Sequence, residues 1–188
     1  MITSKEHSFF GAVDVTTLLD VVSEEFADTV GLVTPFSLEE PLLLDSLHPG
    51  LPGADDAVRV AFRLGFRTEK GARAGFLQVP LESALILAGG LQTLPADEVL
   101  AMSARKAPNA EDKAAIHEVG KIVGCAIEAR VKAELDDGID VIFAGCQGLA
   151  PGQAPELPGY GGEDFAVRWQ QAGFPGFDAF ELLIAIPL

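Results

Sequence analysis

EDKAAIHEVGKIVGCAIEARV, residues 111–131, spaces its apolar residues with the period of a helix. At about 100° per residue, Ile116, Val119, Gly120, Val123, Ala126, Ile127 and Val131 share one face, the apolar stripe of a helix packed on a core. Ala114, Glu118, Lys121, Cys125, Glu128 and Lys132 share the other. Glu118 and Lys121 are three apart and therefore neighbours on the wet surface, where such pairs contribute about 0.2–0.5 kcal/mol. Asn109 is placed to cap the start, and Glu111 and Asp112 complement the helix dipole. Gly138 marks the stop, and the spacing predicts a helix over 111–135.

Earlier in the chain, VRVAFRLGF (58–66) alternates strictly. Val58, Val60, Phe62, Leu64 and Phe66 form one face; Arg59, Ala61, Arg63 and Gly65, with Arg67 beyond, form the other. Period 2 predicts a strand with one buried and one wet face. Residues 68–73, with Gly71, read as its turn, and 75–80 as the returning strand. Pro80 opens a helix over 81–91, and a shorter helix fits 96–106 between Pro95 and Pro108. Beyond the long helix come a strand over 140–144, a Gly/Pro-rich loop over 145–162, and strands over 165–169 and 180–186 joined by AGFPGFD. Upstream, Val15, Leu18, Leu19, Val22, Phe26 and Val30 recur at helical spacing, giving a helix over 14–33 capped by Asp14. A Pro-rich connector, 34–57, holds one short extended piece near Leu42–Leu44. This order is α+β, and the length fits one domain over 1–188.

Composition narrows the function classes. Thirteen Lys+Arg against 28 Asp+Glu give a formal charge of −15, which opposes a phosphate-tracking nucleic-acid binder and an anionic membrane surface. Two cysteines, Cys125 and Cys146, are too few for a disulfide framework and lack zinc spacing, so reduced thiols and a cytoplasmic setting are expected. MITSKEHSFFGAVDVTTLLD has no basic n-region followed by a continuous apolar run, so no signal peptide is expected. No stretch reaches the length of a membrane span.

Other chemistry-bearing residues have plainer readings. His117 adjoins Glu118, but neighbouring helical residues point about 100° apart, so a general-base pair does not follow. His7 and His48 are isolated, and no metal-ligand spacing exists, so neither a metal nor a cofactor is expected. GYGG (159–162) lacks the Lys-Ser/Thr of a phosphate loop. Cys125, near Lys121, is a candidate reactive thiol. Arg59, Arg63, Arg67, Lys70 and Arg73 concentrate five basic residues on one hairpin. That reads as a solvated strand face, or as a patch for an acidic surface, including a second copy in a homodimer.

With GFLQVPLESALILAGGL (75–91) before it, the 111–131 helix resembles the CheX-like branch of the CheC/CheX/FliY chemotaxis phosphatase family. The resemblance covers about residues 14–187 in element order, with its specific part in 111–131. It implies an antiparallel-rich sheet with two long helices packed on one face. It also implies a cytoplasmic chemotaxis protein that docks on a phosphorylated CheY-like receiver domain and removes its acyl phosphate. In that family a Glu-x-x-Asn signature carries the chemistry: the Glu pairs with a receiver lysine and the Asn orients the attacking water. Glu118 falls on the Glu, Gly124 on a small residue that follows, and Lys121 on the Asn. Ala114, Glu118, Lys121 and Cys125 form the implied docking face. An amide accepts a hydrogen bond from water and donates one to the phosphoryl group, whereas a lysine ammonium has three donors and no acceptor. Docking is therefore expected to survive this departure, and catalysis to be impaired. A second copy of the signature, Glu24-x-x-Ala27 with Asp20 one turn earlier, also lacks the Asn. Two alternatives stand beside this reading. One is a catalytically inactive interaction module of the same fold, like the flagellar-switch components. The other is an unrelated hydrolase using His117 or Cys125.

Overall fold

The computed structural model describes residues 9–32, 42–44, 57–136, 138–156 and 164–188. Helix α1 (Val15–Val30) starts at Asp14, whose carboxylate accepts from the Thr17 amide, and ends at Gly31 with φ +71°. The left-handed conformation there costs a glycine little. Strands β2 (Arg59–Thr68) and β3 (Gly71–Pro80) form a hairpin. It leads into α2 (Leu81–Leu91), α3 (Ala96–Ser103) and the long α4 (Ala110–Glu134). Strands β4 (Asp140–Leu149), β5 (Phe165–Ala172) and β6 (Phe180–Pro187) follow, while β1 is the short Leu42–Leu44. The six strands lie in the order β1-β5-β6-β3-β2-β4, every adjacent pair antiparallel.

The two long helices pack on each other, and with α2 they cover one face of the sheet. Between them lies a core of Leu18, Leu19 and Phe26 from α1, Phe62, Leu64 and Phe66 from β2, and Val119, Val123 and Ile127 from α4. The α+β class, the antiparallel sheet and the two helices on one face are as expected from the sequence.

Four details differ from the sequence reading. The face of β2 expected to be wet is largely buried. Ala61 joins Phe76, Leu149, Phe165, Val167, Leu183 and Ala185 in a second apolar cluster on the other side of the sheet, and Arg59 is buried with its guanidinium 3.4 Å from Glu181. Alanine and glycine alternating with arginine do not reveal which partner strands will add apolar cover. The basic stripe accordingly divides. Arg63 is half-buried and Arg67 exposed, but Arg73 stands opposite Phe66 in the register. It therefore lies on the helix-covered side, its guanidinium 4.8 Å from the Phe9 ring centre.

The hairpin turn is also tighter than 68–73, since Thr68 already pairs with Gly71. The glycine-rich stretch after Ala144 continues β4 as far as Leu149. Gly145, at φ +104°, lies where the β2–β4 register shifts, and a bulge there lets the strand pass through residues that look loop-like in sequence. Finally, α3 ends at Ser103 rather than 106, whereas α4 keeps to the expected 111–135 within one residue at each end. His7, His48, GYGG and the connector apart from 42–44 and 57 lie outside the described residues.

Candidate functional site

The outer face of α4 is fixed from both ends. Asn109 and Asp112 form a reciprocal capping box, at 2.8 Å and 2.9 Å, and Arg105 holds the other Asp112 oxygen at 2.6 Å. The inner face is drawn close to β4 because glycine recurs at 120 and 124. A Cβ at Gly124 would stand 2.8 Å from Phe143 Cβ, and one at Gly120 would overlap the Phe143 ring. These glycines set the height of the helix above the sheet, at the usual cost to helix propensity.

On the outside, Ala114, Glu118, Lys121 and Cys125 are all exposed, so the structure brings the sequence-predicted set together on one surface. Glu118 accepts from Lys121 Nζ at 3.0 Å, with both side chains about half exposed. About three turns on, Lys132 bridges Glu128 and Asp140, each at 2.8 Å, tying α4 to the start of β4. The hydrogen bond from Lys132 holds the Asp140 carboxyl below its ordinary value, and donating to Asp140 and Glu128 raises the ammonium. At such exposed positions the link is weak in energy and serves mainly to orient.

The second would-be motif is dismantled by packing. Ala27 is buried, and Glu24 is taken up by Arg130 at 2.7 Å. The same guanidinium also reaches Glu25, Asp28 and Glu134, joining α1 to α4. Asp20 pairs with Arg168 of β5 at 2.5 Å. Sequence reasoning did not find Arg168, because one arginine in a strand gives no sign that a helix will cover it.

His117 stands edge-on to Phe143, with ring centres 4.9 Å apart. His117 and Cys125 are eight positions apart along the helix, about 12 Å, and neither is in the wall of the apolar cavity beneath α4 or of the smaller one beside Phe9 and Phe10. Cys146 is half-buried, its Sγ 3.9 Å from the Ile116 carbonyl, and burial pushes its thiol up from 9.0 to about 12. Between those values only the unfolded chain releases the proton, so this group makes stability fall as pH rises above 9. At pH about 8 a disulfide reagent is accordingly expected to modify Cys125 readily and Cys146 only on denaturation. Equal rates for the two thiols in the folded protein would contradict this.

Among the described residues, no cluster of three or more potential ligands could hold a metal ion, and no helix is long and apolar enough to cross a membrane. One feature the sequence reading missed is an apolar cavity of about 590 Å³ on the inner flank of α4, lined by Val119, Ile122 and Val123 together with residues of α1, α2, α3 and the β5–β6 turn. The signal available for it was Leu91 and Ile122, aliphatic at positions that remain 41% exposed.

No family model matches the sequence, and no curated protein matches it either. Solved structures do. FliY of Thermotoga maritima aligns with a TM-score of 0.63 at 12% identity, over 90% of this chain and 84% of that one. The FliM middle domain of Vibrio alginolyticus aligns at 0.54 and 10% identity, over 90% and 93%. A chain of a FliM–SpeE complex from H. pylori aligns at 0.53 and 9% identity, over 92% and 83%. Identity this low speaks for architecture alone: the chain has the α+β fold of FliY and of the FliM middle domain.

Proposed function

We propose that this chain is a signalling module of the chemotaxis type, which docks on a phosphorylated receiver domain through the outer face of α4 and leaves the acyl phosphate largely intact. The observation that carries this reading is the exposed Glu118–Lys121 pair at 3.0 Å. Glu118 offers a carboxylate to a receiver cation. Lys121 is a cation for phosphoryl oxygens, but it has no acceptor with which to hold an attacking water. Positioning is most of what a protein contributes to phosphoryl transfer, so a site lacking the water-orienting amide is a docking site before it is a catalytic one. The pair must open for docking, at a cost of about 0.2–1 kcal/mol for an exposed ion pair.

Glu118→Ala is expected to weaken binding to a beryllofluoride-activated CheY-like receiver about tenfold or more, while circular dichroism shows an unchanged fold. Wild-type and variant titrations that superimpose would remove Glu118 from the contact. A second reading, an inactive interaction module resembling flagellar-switch proteins, draws support from the FliM structures described in complex with SpeE and with FliG. It predicts stable homo- or hetero-oligomers by light scattering and no affinity for the receiver.

A further inference from the structure

The 590 Å³ cavity is distinct from the outer face of α4. Its walls are almost entirely apolar, with Thr29 the one lining residue bearing a polar side chain, and Phe174 and Phe177 of the β5–β6 turn meet edge-on in the wall. The volume is that of an ordinary ligand pocket, and the exposed Leu91 and Ile122 extend the apolar surface outward. The charges beside it are one-sided. Among the immediate chain neighbours of lining residues, Glu118 is paired with Lys121 and Asp28 with Arg130, and Asp97, Glu98 and Asp178 add further negative charge. Asp28, Asp97 and Asp178 are exposed. An apolar trough with acidic surroundings disfavours a fatty acid or any anionic ligand and complements an apolar stripe flanked by lysine or arginine.

We propose that this trough binds a cationic amphipathic helix of a partner protein, its apolar side chains at i, i+4 and i+7 entering between α2 and α4. The inference does not rest on receiver docking, although Ile122 at the trough's edge is the i+4 neighbour of Glu118 on α4.

The test is a titration of the full chain with a fluorescent Leu/Lys amphipathic model helix, a Leu/Glu helix of the same pattern, and dodecanoate. The Leu/Lys helix is expected to bind and the Leu/Glu helix not to. Ile122→Lys and Leu91→Lys, both at surface-accessible positions, should each weaken binding about tenfold, equivalent to about 1.4 kcal/mol. Asp97→Asn with Asp178→Asn should weaken it further and flatten its salt dependence. Three results would overturn the proposal: Leu/Lys binding untouched by the Ile122 and Leu91 variants, which would mean adhesion to the net negative charge; equal binding of the Leu/Glu helix; or saturation by dodecanoate instead of the peptide.

Discussion

Asp20→Ala is expected to destabilise the fold by about 3 kcal/mol, the low end for breaking a buried ion pair from one side. Arg168 lies on β5 with its side chain only 2% exposed, and Asp20 reaches it from α1 at 2.5 Å. The contact is close but poorly aligned, since Arg168 Nε and Nη1 and Asp20 Oδ1 find no hydrogen-bond partner among the described residues. Coulomb attraction therefore does most of the holding, and removing the carboxylate strands a guanidinium under the helix. Beside it, Ser23 donates to Gln170 Oε1 at 2.8 Å, a second buried polar tie between α1 and the same strand. Arg168→Met removes the charge and keeps the volume. It should leave stability within about 1 kcal/mol of wild type, and in the double variant it should restore most of what Asp20→Ala loses. Urea unfolding of the four proteins measures this. A cost below about 1 kcal/mol for Asp20→Ala would show that water already compensates Arg168.

Gly75→Val should lower the thermal midpoint by about 5–10 °C, corresponding to about 2–3 kcal/mol of overpacking in a domain of this size. A Cβ at this position on β3 would overlap the Ala185 carbonyl oxygen of β6 and stand 3.0 Å from Phe66 Cε2. The Ala185 contact is backbone, so relief requires the two central strands to part beside the Phe76–Ala185 pairing. Gly148→Ala is the matched control. It lies on the edge strand β4, with nothing within 4 Å of the added carbon, and should melt close to wild type. Equal shifts for the two variants would mean that the strand contact at Gly75 is not limiting.

What the sequence made legible follows what is local. The faces of α4 and the Asn109 cap could be read because helical periodicity and capping depend on residues a few positions apart. The exposed set Ala114, Glu118, Lys121 and Cys125 came with them. What depended on distant strands could not be read. The second apolar layer at Phe76, Val167 and Leu183 needs the pairing of β3, β5 and β6, and without it Arg59 looks like a wet residue. Arg73, expected in the turn, joins β3 because a two-residue turn replaces a longer one, and its pairing opposite Phe66 puts it on the helix-covered side. The Gly145 bulge hides a strand in a stretch whose composition says loop. The trough inside α4 arises only where five elements meet, and no window of sequence contains it.

Acyl-phosphate decay on a CheY-like receiver, with the wild-type chain and with Lys121→Asn, bears most directly on a docking face that lacks its water-positioning group. The wild type is expected to bind the phosphorylated receiver yet leave its decay close to that of the receiver alone. Lys121→Asn, which supplies an acceptor and a donor three residues from Glu118, is expected to accelerate decay about tenfold or more. Strong acceleration by the wild type, or no gain from the Lys121→Asn variant while it still binds, would contradict the role assigned to position 121.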